Sequence, residues 1–409
     1  MTDFVYGNDQ KLNYAIFSVC NIAYLPKALV LADSLQKNGA AKLKIYLFDR
    51  FSTAVDCRQF EDIAEIIWIE DVGLDSFNQY AFKYDITEFS TSLKPWLTLG
   101  LLKEFEKVIF LDPDTCVFSA IDPVLRLLDS QDIVLTPHYI TPNESSDLGM
   151  MRFGSFNLGF FAVRKTNESV RFLTWWSERC LNICYFETQF GLSTDQKWIS
   201  IAPCFFPTLH VCFDLGWNVA FWNMHERSIV QDGDSFNVNN KFPLIFFHFS
   251  SFDEENPEFL SKRPFADKAL LRKDFMPLVD IYKGALDGFK KLVPAVAYSY
   301  DQMSNGDYIS PTLRRAYASV LNELPADHDP FDSNGPVAKF AKKNFLLRKS
   351  LPYKSRGFSD LESNRSKLKV INSVMKIALY VVGPNRFMNL STLLVFLSSF
   401  RLNRDIWKL

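Results

Sequence analysis

The segment that most constrains this chain is Lys107 to Phe118, Lys-Val-Ile-Phe-Leu-Asp-Pro-Asp-Thr-Cys-Val-Phe. Val108 to Leu111 are four consecutive apolar, β-prone residues, a pattern that predicts a short strand buried on both faces. The run stops at two carboxylates one residue apart, Asp112 and Asp114, with Pro113 between them. In an open α/β sheet, ligands bind in the crevice beyond the carboxyl ends of the strands, so this pair lies where chemistry is done. Two carboxylates there suit a hard divalent ion such as magnesium or manganese, which completes its shell with water and substrate phosphates. Asp-Pro-Asp is also ordinary turn chemistry, and the rest of the chain has to decide between the two readings.

Upstream, Tyr14 to Cys20 reads as a first buried strand. A helix follows with Pro26 in its first turn, Ala28, Leu31, Ala32 and Leu35 at helical spacing, and Gly39 as a stop. Leu43 to Phe48, ending at Asp49, and Glu65 to Ile69 read as the next two strands. A polar, aromatic linker is expected over Tyr80 to Ser92, then a helix over Leu93 to Phe105. Strands are predicted at Asp132 to Leu135, at Phe156 to Val163 and at Leu244 to Phe249, with a helix over Val170 to Leu181 between the last two. Thr136 to Gly154 lacks periodicity and reads as a long polar loop, a length often used for lids and binding loops. Gly159 interrupts its strand, which points to a close neighbour that a side chain would obstruct. Strand and helix alternate in the manner of an α/β protein with a mostly parallel sheet.

In this order the pieces resemble the retaining glycosyltransferases of the GT-A fold, most closely family 8 galactosyl- and glucosyltransferases. Four segments between Tyr14 and Phe252 carry the likeness. Lys107 to Asp114 is similar to the family's strand with Asp-x-Asp, which implies that Asp112 and Asp114 coordinate manganese (or magnesium). Phe156 to Phe160 is similar to its Phe-Asn-x-Gly strand, setting Asn157 against the donor sugar. Thr194 to Trp198 resembles its Asp-Gln pair, which makes Asp195 and Gln196 the catalytic candidates. Phe246 to Ser250 resembles the strand whose histidine is the third metal ligand, here His248. Lys94, on the helix before the Asp-x-Asp strand, and Asn21 and Asp49, beside the first two strand ends, complete the donor-binding set. The resemblance implies a Rossmann-like sheet flanked by helices, with a C-terminal helical extension. It also implies transfer of a sugar from a nucleotide-sugar donor, UDP-linked, to a glycan or lipid-linked acceptor, with retention at the anomeric carbon, in cell-surface polysaccharide synthesis.

Departures accompany the match. The family's acidic residue at the end of the first strand has no counterpart in Ser18 to Asn21, and the glycine and lysine after the histidine are replaced by Ser251 and Glu254. Lys94 is then a candidate to grip the phosphates. Asp195 also suits a helix start, with Ser193 or Thr194 as the cap. Trp198 and Trp222 could stack on sugar rings, and His225 and Glu226 could line the acceptor side. A second likeness is to haloacid-dehalogenase phosphatases, whose nucleophile would be Asp112; there Cys116 stands in the place of a threonine, and Asp232-Gly233-Asp234 imitates a second acidic motif. A non-catalytic sugar-nucleotide-fold binding module is the third reading.

Composition sets the remaining bounds. With 48% hydrophobic and 15% aromatic residues in 409, the chain can bury a large core. Met1 to Asn13 lacks the apolar core of a secretory signal, and the seven scattered cysteines contain no Cys-x-x-Cys, so a cytoplasmic location with reduced thiols is expected. The net charge of −2 conceals a tail, Lys339 to Leu409, with fifteen Lys and Arg against Asp360, Glu362 and Asp405, or +12. Its apolar stretches, Val370 to Val382 and Met388 to Phe400, are shorter than the roughly 18 residues that span a bilayer. They read as an element on the inner membrane face, or as an amphipathic pair packed on the main domain. Nucleic acid is an improbable partner, because the basic residues are confined to this tail without a reading motif. The expected domains are 1–255 for catalysis, 256–335 as a helical extension and 336–409 as the basic tail.

Overall fold

The computed structural model describes residues 13–262, 272–347, 365–399, 401 and 403. They fall into two compact units, Met1–Asp75 with Ile86–Tyr298, and Ser76–Asp85 with Ser299–Leu409. The first opens with β1 (Tyr14–Cys20), α1 (Leu25–Lys37), β2 (Leu43–Leu47) and β3 (Ala64–Trp68). α2 (Phe77–Lys83) belongs to the second unit, and α3 (Ile86–Leu101) returns to the first. The expected linker at Tyr80 to Ser92 is therefore mostly helical. Next come β4 (Lys107–Leu111), β5 (Thr115–Val117), α4 (Asp122–Leu127), β6 (Ile133–Pro137), α5 (Glu144–Phe153), β7 (Phe156–Arg164) and α6 (Asn167–Asn182). Short strands β8 (Phe186–Glu187) and β9 (Leu192–Ser193) lead into α7 (Thr194–Ile199). β10 (Leu209–Val211), β11 (Ile229–Asp232), β12 (Ser235–Val238), β13 (Phe242–Pro243), β14 (Phe246–His248) and α8 (Met276–Phe289) complete the unit. The second unit adds α9 (Pro311–Val320), α10 (Pro336–Lys343), α11 (Arg365–Val382) and α12 (Pro384–Leu397).

Seven strands form one sheet in the order β10-β6-β7-β4-β1-β2-β3. β1 pairs in parallel with β2 and β4, β2 with β3, and β10 with β6, whereas β7 runs antiparallel to both β4 and β6. The sheet is thus mostly parallel with one reversed strand. That reversal puts the first residues of β7 beside the last residues of β4. Alternate residues serve two layers, as the period of two requires. Ile16, Ile109, Phe160 and Ala162 join α1 in one core, while Phe17, Phe110 and Phe161 meet Trp176 of α6 through edge-on and stacked ring contacts on the other face. α6 starts at Thr166, whose Oγ1 accepts the Ser169 N–H at 3.1 Å.

The first unit extends past residue 255 because α8 buries Leu278, Val279, Tyr282 and Leu286 against Val30, Phe249 and Phe252 of that unit. Side chains of this size contribute about 1.5–3 kcal/mol each when fully buried. The expected loop at Thr136 to Gly154 contains α5, which the sequence pattern misses because Leu148 and Met151 are 74% exposed rather than forming a buried stripe. Hydrogen bonds from outside hold it instead: Lys197 to the Met151 carbonyl, and Arg152 Nε to Thr188 Oγ1 at 3.1 Å.

In the second unit, α11 and α12 carry the expected apolar stretches, but Val374, Ile377, Tyr380, Val381, Met388 and Leu394 are all exposed. Phe400, at the end of the second expected stretch, lies outside the described residues, as do the basic residues of 348–364.

Candidate metal and donor site

β4 delivers Asp112 to the carboxyl edge of the sheet, where its N–H donates to the Gly159 carbonyl of β7 at 2.8 Å. The Thr115 N–H returns to the Asp112 carbonyl, closing the turn that starts β5 with Asp114. β14 then pairs antiparallel with β5, His248 opposite Thr115, which carries an imidazole from far along the chain to the acidic turn. His248 Nε2 lies 3.0 Å from Asp114 Oδ1 and 3.7 Å from Asp112 Oδ2. One potential ligand atom from each of the three residues falls within 4.8 Å of the others. This donor set of two carboxylates and one imidazole fits manganese or a similar divalent ion. Burial pushes the Asp114 carboxyl up, but the His248 charge and hydrogen bond, with a smaller contribution from Lys27, hold it below the usual carboxylate range.

The obstruction foreseen at Gly159 is the His248 ring: a Cβ there would sit 2.4 Å from His248 Nδ1 and Cε1. Only a residue without a side chain lets the imidazole lie flat against β7. Ser251 adopts φ +53°, so the left-handed turn that favours glycine persists after His248 without the glycine. Glu254 pairs with Lys290.

Lys94 is 4% exposed, on α3 over the Phe110 ring. Its Nζ meets the Leu158 carbonyl at 2.9 Å, Asp112 Oδ1 at 3.1 Å and Asp195 Oδ2 at 3.5 Å. Burial disfavours its charge, and the two carboxylates more than restore it, raising its pKa above the ordinary lysine value. Burial also raises Asp195, with Lys94 opposing. Thr194, at φ +46°, donates from Oγ1 to Asp195 Oδ1 at 3.1 Å; Asp195 Oδ2 accepts no hydrogen bond among the described residues. Neither Ser193 nor Thr194 caps α7 in the expected way, because Ser193 makes no side-chain capping bond and Thr194 is turned onto Asp195. Backbone held in the left-handed region by a β-branched residue is strain of the kind that collects at functional sites.

Asn157 joins these groups. Its Oδ1 accepts the Gly159 N–H at 3.0 Å and Asn218 Nδ2 at 3.1 Å, and its Nδ2 faces Gln196 Oε1 at 3.5 Å. Asp112, Asp114, His248, Lys94 and Asp195 therefore form one continuous set of contacts, and Asn157 meets Gln196, the residue after Asp195. Asp49 meets a different partner: its Oδ2 accepts the Ile22 N–H at 2.7 Å, which fastens the turn after β1, where Asn21 lies, to the end of β2.

Sequence reasoning missed His138. It follows β6, and its Nε2 lies 3.4 Å from Asn157 Nδ2; Trp222 meets the rings of both His138 and His248 edge-on. The available signal was position, since it is the first polar residue beyond a buried strand's carboxyl end. Trp222 Nε1 is buried with no partner among the described residues, whereas Trp198 Nε1 is spent on the Ile183 carbonyl. Glu226 is also spent, accepting the N–H groups of Ile140 and Thr141, and His225 is exposed beside Tyr139. Asp232 and Asp234 flank Gly233 (φ +60°) in the exposed β11–β12 hairpin turn, so the imitation of a phosphatase motif is turn chemistry.

Residues 15–167 match the model of glycosyl transferase family 8. The chain is a glycosyltransferase resembling family 8. Two proteins of Bacillus subtilis (strain 168) are similar to this family 8-like enzyme. The uncharacterized protein YfnD is 26% identical over 51% of this chain and 69% of its own length. The uncharacterized protein YfnF is 26% identical over 41% of this chain and 58% of its own length, less than two thirds of that protein. Among solved structures, a galactosyltransferase LgtC complex with donor and acceptor sugar analogues aligns at 13% identity and TM-score 0.39, covering 69% of this chain and 97% of LgtC. Mouse xyloside xylosyltransferase 1 in its apo form aligns at 14% identity and TM-score 0.37, covering 57% and 97% of the two chains.

Proposed function

We propose that this glycosyltransferase moves a sugar from a UDP-linked donor to a hydroxyl of a glycan or lipid-linked acceptor, with retention, using manganese or magnesium held by Asp112, Asp114 and His248. The convergence of those three side chains from two strand ends carries the reading. A divalent ion held there would offset the negative charge that develops on the leaving diphosphate. His248 offers Nε2 to the ion, and its ring is kept in place by the space over Gly159 and by the edge of Trp222. Lys94 pairs with Asp112 and Asp195 and ties the two carboxylates to one point of the crevice. Asp195 then presents Oδ2, which Lys94 Nζ faces at 3.5 Å, to sugar hydroxyls, with Asn157 and half-buried Gln196 beside it. Asn21, on the turn after β1, and Asp49, at the end of β2, border the nucleoside. The acceptor enters from the side of His138 and Trp222.

The same reading assigns 1–255 to catalysis, 256–335 to a helical extension and 336–409 to a basic tail, at work on the cytoplasmic side in cell-surface polysaccharide synthesis. No helix of the described residues is long and apolar enough to cross a membrane. α11 and α12 instead present exposed apolar residues alongside Lys367, Lys369, Lys376 and Arg386, with no acid between Arg365 and Arg401. That combination suits peripheral contact with an anionic bilayer.

A thermal-shift screen of nucleotide sugars with and without manganese tests the function. Stabilisation by one nucleotide sugar only when the ion is present is expected, because a ligand of the native state raises its stability by mass action. Equal shifts with and without the ion, in wild type and in Asp114→Ala, would refute the metal-dependent reading.

A further inference from the structure

This inference rests on the metal and nucleotide-sugar reading and adds the residue that meets the diphosphate. Two carboxylates are balanced in charge by one divalent ion, which leaves the diphosphate's own negative charge uncompensated. Glu254 lies where a cation would be expected, and the Nζ of Lys94 is taken up by three oxygens. Another positive group has to face the crevice.

The register of β1 and β4 locates one. Phe17 lies opposite Phe110 in a parallel pair, so Cys20, at the end of β1, lies level with Pro113. The chain leaves β1 beside the acidic turn, and α1 begins five residues later at that same edge. Two bonds then hold α1 along β5: Ser34 Oγ accepts the Val117 N–H at 3.0 Å, and Asn38 Nδ2 donates to the Val117 carbonyl at 3.3 Å. Counting back from this contact, Asp114 is three strand residues away, about 10 Å at 3.3 Å each. Lys27 is seven helical residues back, about 10 Å at 1.5 Å each. Both counts lead to the same end of the crevice, where the chain leaves β1 for α1. Lys27 is half-buried, its Nζ stands 4.1 Å over the ring of Tyr24, and it pairs with no carboxylate among the described residues.

We propose that Lys27 is a binding residue for the donor's diphosphate, supplying a cation from the first turn of α1 at the acidic end of the crevice. Tyr24 props the lysine stem and keeps the ammonium at the edge of the crevice.

Calorimetric titration of the full chain tests this with three probes: manganese alone, UDP with manganese, and inorganic pyrophosphate with manganese. Lys27→Ala is expected to weaken both phosphate probes about 10–100-fold, the range for a charged hydrogen bond, and to leave manganese alone within twofold. Lys27→Arg should keep most of the affinity, and the melting temperature without ligand should match wild type. Lys262→Ala is the control, since the Lys262 N–H donates to the Ser251 carbonyl and brings that lysine near the same turn. The proposal is overturned if Lys27→Ala binds both phosphate probes like wild type, if the loss is confined to UDP, or if Lys262→Ala shows the loss instead. Failure of wild type to take up either phosphate probe would overturn the underlying metal–nucleotide reading as well, and would be shared by every variant.

Discussion

Two buried cations, one in each unit, show how the same burial can serve opposite ends. Arg314 of α9 is 2% exposed; its Nη1 donates to the carbonyls of Ala81, Phe82 and Tyr84, and its Nη2 to the Tyr300 carbonyl and Asp301 Oδ1. Lys94 is equally enclosed but bonds one carbonyl and faces two carboxylates. Backbone carbonyls cannot be titrated or borrowed by a ligand, so Arg314 ties two chain segments of its unit together and does nothing else. The partners of Lys94 are groups with a second use. Arg314 is met by four carbonyls and one carboxylate of its own unit, whereas Lys94 is met by one carbonyl and two carboxylates.

Breaking that contrast gives the largest effects. Arg314→Met strands four carbonyls and should lower stability by about 3–5 kcal/mol in a urea melt, the range for removing one partner of a buried polar network. Transfer per folded molecule should hardly change. Lys94→Met should do the reverse: transfer falls about 100- to 1,000-fold in an initial-rate assay. The stability loss should be smaller than at Arg314, because Asp112 retains 24% of its side-chain exposure and can rehydrate. Equal stability losses at the two positions would erase the distinction. Gly159→Ala places a methyl against the His248 ring and should cost about 1–3 kcal/mol by overpacking. It should also weaken manganese binding, which calorimetry measures.

Two smaller perturbations in the first unit, remote from either cation, calibrate these. Thr166→Ala removes the cap of α6 and should cost about 1 kcal/mol with kinetics unchanged. Asp274 receives the Ile229 N–H at 2.8 Å and pairs with Arg272, and despite burial these hold its carboxyl below the ordinary value. Its stabilising contribution is complete above the unfolded carboxylate value of about 3.9 and disappears as pH falls through the lower folded value. The gap in urea midpoint between wild type and Asp274→Asn, about 0.5–1 kcal/mol at pH 6, should therefore shrink at pH 3.

What could be read in the sequence were the residues that end strands. Asp112, Asp114 and His248 stop apolar runs, and a run short enough to be a buried strand delivers its terminal side chain to one edge of the sheet. Gly159 announced a close neighbour without saying which. Partners that meet across the fold were hidden. Nothing in the composition of α3 marks Lys94 as buried, because its neutralising oxygens arrive from β4, β7 and α7. Glu226 looked like an acceptor-side carboxylate, yet it holds the backbone after His138. The sense of β7 was also invisible, since a strand apolar on both faces reads the same in either direction.

That sense decides how the crevice is approached. Because β7 enters the sheet at the acidic turn, the segment feeding it, α5 and its flanks, must cross beside Gln196, where a Cβ on Gly154 would sit 3.1 Å from the Gln196 carbonyl oxygen. Lengthening or shortening residues 138–155 would resize the doorway for an incoming hydroxyl while leaving the ion's ligands untouched.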